Sequence, residues 1–157
     1  MVEIAPAEPA DLDEVRAMFR EYSALVQEAL CFQGFDAELA GLPGAYAPPA
    51  GALLVARDGR DGRDLAGCVA LRRLPDGRGE MKRMYVRERH RGSGLGRRLA
   101  EAVIAEARRR GCRSLVLDTL PKLTSAIALY RSLGFREIPP YLPSPTPGAL
   151  CFELSLS

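Results

Sequence analysis

The chain has 157 residues, 27% of them charged and 47% hydrophobic, with 22 Lys+Arg against 20 Asp+Glu. That length suits one domain around a buried core, and the composition lacks the apolar depletion and charge excess of a disordered chain. A net charge of +2 removes any general electrostatic case for nucleic acid or an anionic membrane, so an anion site has to be local.

The four cysteines, Cys31, Cys68, Cys112 and Cys151, lie far apart with no C-x-x-C pair, and the one histidine, His90, does not complete a zinc set. Reduced thiols and no metal are expected. The N-terminal MVEIAPAEPADLDEV lacks a basic segment followed by an apolar one, and no stretch approaches the ~18 uninterrupted apolar residues of a membrane span. A cytoplasmic protein is expected.

In chain order, Val2 to Ala5 suits a short strand, and Pro9 suits the first turn of a helix in which Leu12, Val15, Phe19, Tyr22 and Val26 recur at helical spacing. Cys31 to Gly51 is rich in Gly and Pro, with Phe32, Phe35 and Tyr46 at no steady period, and predicts an irregular packed loop with a helical turn near Asp36 to Ala40. Ala52 to Arg57, Leu65 to Leu74 and Gly79 to Val86 read as strands, separated by the Asp58 to Asp64 turn and by Pro75-Asp76-Gly77. Together they predict an antiparallel meander.

The period then changes. Leu95, Leu99, Val103 and Ala107 share one helix face opposite Arg97, Arg98, Glu101 and Arg108 to Arg110, and Gly111 is placed to end the helix. Ser114 to Asp118 reads as a strand, Lys122 to Leu133 as a helix ending at Gly134, and Phe135 to Ile138 and Ala149 to Leu156 as the last strands. Helices interrupt a series of hairpins, so the expected fold class is α/β with a mixed, mostly antiparallel central sheet flanked by helices. The Pro139 to Pro147 run is a stiff connection over one end of that sheet.

The most informative stretch is Glu80 to Gly96, EMKRMYVRERHRGSGLG, where a strand enters a loop with three glycines and then an amphipathic helix. Glycines let successive backbone N–H groups turn toward one point, and a helix start adds free amides and the positive end of its dipole, an arrangement suited to pyrophosphate. A P-loop is excluded because Arg97 and Arg98, and not Lys-Ser/Thr, follow Gly96. The dinucleotide fingerprint G-x-G-x-x-G fails because Arg97 or Leu99 stands where its last glycine belongs.

What fits is R-x-x-G-x-G over Arg91, Gly92, Ser93, Gly94, Leu95 and Gly96, directly after Met84-Tyr85-Val86, followed by Ser114 to Thr119 and by Ala126-Ile-Ala-Leu-Tyr-Arg-Ser-Leu-Gly-Phe135. On these motifs the sequence resembles the GCN5-related N-acetyltransferases (GNAT), from about Gly51 to Phe135, with the N-terminal part matching in the order of its elements. The resemblance implies an acyl-CoA N-acyltransferase-like fold. It also implies transfer of an acetyl group from acetyl-CoA to a primary amine, by direct attack through a tetrahedral intermediate and without a metal.

By the same resemblance Met84, Tyr85 and Val86 pair with the pantetheine arm, and Arg91 to Arg97 take the pyrophosphate. Tyr130 falls at the family's general-acid position, where a phenol keeps its proton at neutral pH. Glu80 matches the glutamate that serves as general base in histone-modifying members. Each has a plainer reading: arginines beside a helix start are often solvated, a tyrosine near a helix end packs its ring, and a glutamate at a strand start faces solvent. One departure is Leu123, where many family members carry asparagine.

An alternative function is a non-catalytic domain that binds or senses acyl-CoA; Tyr130 and Glu80 favour the enzyme. The acceptor pocket is expected between the Cys31 to Gly51 loop and the Pro139 to Pro147 loop with Tyr141. No acidic patch argues for a polycationic acceptor, so a small-molecule amine or amino acid is preferred over a protein amine. Self-association as a homodimer through the last strands is left open.

Overall fold

A computed structural model describes residues 2–26, 34–59, 64–143 and 147–156. Cys31 and Phe32 lie outside the described residues. The elements are β1 (Val2–Pro6), a 3-10 turn over Pro9–Asp11, α1 (Leu12–Val26), α2 (Phe35–Ala40), β2 (Ala52–Asp58), β3 (Leu65–Arg73), β4 (Gly79–Val86), α3 (Leu95–Arg109), β5 (Ser114–Thr119), α4 (Thr124–Ser132), β6 (Arg136–Ile138) and β7 (Leu150–Ser155).

One sheet carries the fold, in the order β1-β2-β3-β4-β5-β7-β6. Every neighbouring pair is antiparallel except β4 and β5, which run parallel. The mixed, mostly antiparallel α/β architecture expected from the hairpin signals is therefore the one observed. A 3-10 turn over Gly44–Tyr46 adds local order to the loop after α2.

Each sheet face buries its own apolar cluster. On one, Val15, Met18 and Phe19 of α1 with Phe35 and Leu39 of α2 cover Leu53, Val55, Cys68, Ala70 and Tyr85. On the other, Leu95, Leu99, Val103 and Ala107 of α3 with Tyr130 of α4 cover Leu54, Val69, Met81, Leu115, Leu117 and Phe152. The helical spacing visible in the sequence is thus the spacing that meets the sheet, and each fully buried Leu or Phe contributes about 1.5–3 kcal/mol of transfer free energy. Among the described residues no helix is long and apolar enough to cross a membrane.

The three described cysteines behave as core residues. Cys68, Cys112 and Cys151 are free and buried, and burial pushes the Cys68 thiol up to about 12. A thiol so far from ionisation is no nucleophile at neutral pH.

Candidate active site

The site begins where the sheet comes apart. β4 and β5 pair only at Gly79 with Leu115 and Glu80 with Val116, while β4 runs on to Val86 and β5 to Thr119. Just past that point β4 carries a bulge: Cys68 faces Tyr85 and Ala70 faces Lys82, so Arg83 and Met84 together oppose Val69. Arg83 has φ 58°, a left-handed conformation that costs a non-glycine residue of order 1 kcal/mol.

Its surroundings hold it there. The Arg83 guanidinium makes two 2.9 Å bonds to Glu38 of α2 and lies over the Phe35 ring, and its carbonyl accepts from the Cys68 thiol. The bulge turns the last residues of β4 relative to the first, which sends Met84 and Val86 to the α3 side and Tyr85 to the α1 side.

After β4 the chain makes a short 3-10 turn over Glu88–His90 and enters the glycine loop. Gly92 and Gly94 have φ 79° and 83°, and a Cβ on either would meet nothing within 4 Å. Glycine is therefore required there by conformation, and the space beside it is open. No backbone carbonyl among the described residues takes a bond from the amides of Gly92 to Arg97. These donors lie at the start of a 15-residue helix whose dipole favours an anion. Ser93 donates its hydroxyl to the His90 carbonyl, and the Leu95 side chain enters the core, so these two contribute main-chain groups to the loop.

From that loop a groove of about 360 Å3 runs between β4 and α4, walled by Met84, Tyr85, Val86, Arg91 and Gly96 on one side and Leu123 to Ala126 and Leu129 on the other. Leu123 takes the wall position where the family often carries asparagine, so that wall is apolar at this point. Lys122 donates to the Val26 carbonyl and ties α1 to the segment before α4 beside the groove. Arg91 lies within it, donating to the Val86 carbonyl at 2.9 Å with its guanidinium over the Tyr85 ring. Arg97 reaches Ser132, Arg98 the Val2 carbonyl, and Arg89 Asp64. Of these four arginines, Arg91 is the one that lines the groove.

The groove shares Tyr22, Met84, Leu123 and Ala126 with a smaller cavity of about 50 Å3 between the separated strands, lined also by Lys82, Asp118, Thr119 and Tyr130. The Tyr130 ring packs against Phe135 and Phe152 at 5.7 and 6.4 Å. Burial, reinforced by Tyr22 and Asp118, raises its phenol well above the usual tyrosine value. Glu80 is fully buried. Its Oε1 accepts from Arg72 Nε at 2.5 Å and its Oε2 from the Tyr141 hydroxyl at 2.5 Å. The plainer reading of Glu80 as a solvent-facing glutamate at the strand start therefore fails: Tyr141 folds over the strand and helps remove it from water.

The sequence model of the acetyltransferase (GNAT) family matches residues 13–135. The chain belongs to the acetyltransferase (GNAT) family. An uncharacterized N-acetyltransferase of Schizosaccharomyces pombe is 41% identical over 150 residues, 95% of this chain and 91% of that one. A GNAT acetyltransferase of Staphylococcus aureus superposes over 100% of both chains with TM-score 0.84 at 21% identity. The yncA protein of Salmonella typhimurium, solved with its cofactor acetyl-CoA, superposes over 99% of this chain and 94% of that one with TM-score 0.75 at 23% identity. The protein is thus an acetyl-CoA-dependent N-acetyltransferase.

In this GNAT acetyltransferase the structure brings Met84, Tyr85, Val86, Arg91 and Gly96 together along the groove and sets Tyr130 beyond its inner end. Tyr85 contributes mainly ring and backbone, since its hydroxyl donates to Glu21 of α1 at 3.1 Å. Sequence reasoning passed over Arg87, whose guanidinium bonds Glu14 and Glu21 and fastens α1 across the end of β4. It also passed over Asp118, which looked like the end of an apolar strand. Among the described residues no group of three or more His, Cys, Asp or Glu could hold a metal ion.

Proposed function

We propose that this GNAT enzyme acetylates a primary amine of a small molecule by direct attack on acetyl-CoA, the pyrophosphate held at Gly92 to Arg97 and the reaction completed between Glu80 and Tyr130. The observation that carries this reading is the continuity of one channel: unpaired amides at a helix start, a groove along the open side of β4, and the Tyr130 phenol in the cavity beyond its inner end. The open space at Gly92 and Gly94 fits a pyrophosphate, and the extended edge of Met84 to Val86 fits an amide-bearing arm that bonds a strand. Arg91 adds a charge beside the loop. The acetyl-CoA in the Salmonella typhimurium neighbour supports the same cosubstrate here.

The bound cosubstrate supplies an acetyl thioester. The chain's own groups manage protons. The amine must attack as a free base, and Glu80 accepts its proton through the Tyr141 hydroxyl that already donates to it. As the nitrogen lone pair forms the new N–C bond, the C–S pair departs on sulfur, and Tyr130 donates to it. The burial that keeps the phenol protonated also disfavours a bare thiolate, so donation stabilises the leaving group where water is excluded.

The test is incubation with acetyl-CoA and a panel of primary amines, with N-acetylated products identified by mass spectrometry. Enzyme-dependent N-acetylation of one amine class is expected. Cosubstrate binding without transfer to any amine contradicts the reading.

A further inference from the structure

Two charged side chains of the cleft take no part in that chemistry. Lys82 of β4 and Asp118 of β5 line the same small cavity as Tyr130. The other charges facing them are committed: Glu80 to Arg72 and Tyr141, and Arg83 to Glu38. Among the described residues, Lys82 and Asp118 form no hydrogen bond and no ion pair within 4.0 Å, with each other or with any other group. Burial pulls the Lys82 ammonium below the ordinary lysine range, while Glu80 and, less strongly, Asp118 favour it through space and Arg83 opposes it.

An ammonium set into a cleft with no carboxylate in direct contact is costly unless a ligand brings the opposite charge up to it. A positive and a negative group held apart across one cavity, instead of bridging each other, complement a molecule that carries both charges close together. We infer that the acceptor is a free amino acid, its carboxylate paired with Lys82 and its amino group entering beside Asp118 next to Tyr130. A cavity of about 50 Å3 accommodates such a head group and little more. A lysine side chain of a protein would bring an ammonium toward Lys82 with no carboxylate to meet it. The inference rests on the acetyl-transfer reading and names the substrate class of the same site.

The experiment compares matched pairs, each an amino acid and its carboxamide, as acceptors at saturating acetyl-CoA, with N-acetyl product measured by mass spectrometry and acetyl-CoA binding measured separately by calorimetry. A charge-assisted pair predicts that the parent enzyme favours the acid by roughly 10–100-fold in kcat/KM, mostly through KM. Lys82→Met collapses that preference to about onefold with acetyl-CoA affinity retained, Lys82→Arg restores it, and Asp118→Asn raises KM for acid and amide alike. Equal use of acids and amides by the parent overturns the inference without touching acetyl transfer, as does a preference that survives Lys82→Met. No transfer to either member of any pair, with acetyl-CoA still bound, overturns the acetyl-transfer reading and this inference with it.

Discussion

Tyr130→Phe removes one oxygen and keeps the ring that packs against Phe135 and Phe152. Among the described residues the hydroxyl has no hydrogen-bond partner, so its loss orphans nothing, and unfolding free energy in urea should change by less than about 1 kcal/mol. The catalytic effect should be far larger. A positioned acid is worth about 10²–10⁴-fold, or roughly 2.7–5.4 kcal/mol of barrier. With saturating acetyl-CoA and product followed by mass spectrometry, kcat is expected to fall in that range while KM for acetyl-CoA stays within about threefold. The parent should also show no loss of kcat from Tyr130 ionisation below about pH 10, because burial, with Tyr22 and Asp118, raises the phenol above that ordinary value. A variant within about fivefold of the parent would make Tyr130 a packing residue and refute this chemistry.

Glu80→Gln preserves shape and should lower kcat by about 10²-fold or more with acetyl-CoA affinity unchanged by calorimetry; equal losses of affinity and rate would mark Glu80 as structural. Glu38→Ala strands the buried Arg83 in its left-handed bulge and should cost about 3 kcal/mol in urea unfolding, whereas a change below about 1 kcal/mol would mean that the bulge holds without its partner. Hydrogen bonding to Arg57 depresses the Asp11 carboxyl in the folded state. Its contribution is therefore fully present above the unfolded value of about 3.9 and lost as pH falls through the folded one, so Asp11→Asn should flatten the drop in stability below about pH 4 seen by thermal melts. Gly67→Ala would press a methyl to 2.6 Å from the Tyr85 carbonyl on the strand that lines the groove, and should weaken acetyl-CoA binding as well as stability, read by calorimetry and melting together.

Much of this site is written in local sequence. The strand, glycine loop and helix from Glu80 to Arg109 announce themselves because glycine conformation and 3.6-residue spacing act over a few neighbours, and Tyr130 is marked by the short motif ending at Phe135. What escaped is decided by residues far apart in the chain. Glu80 leaves solvent because Tyr141 covers it from 61 residues downstream. Arg83 adopts φ 58° because Glu38, 45 residues upstream, binds its side chain in place. Arg97 and Arg98 begin the same helix as neighbours, yet one reaches α4 and the other β1, since their side chains diverge around the helix axis. Lys82 and Asp118 face one cavity without touching because two strands separate just before them, and no short pattern encodes that divergence.

The central claim is that the loop from Gly92 to Arg97 and the groove beside it bind acetyl-CoA. Calorimetric titration of the parent and of Gly94→Asp, which sets a carboxylate among the loop amides, tests it most directly. Binding by the parent that is lost in a folded Gly94→Asp variant is the predicted result. No binding by the parent at millimolar acetyl-CoA, or equal binding by both proteins, would contradict it.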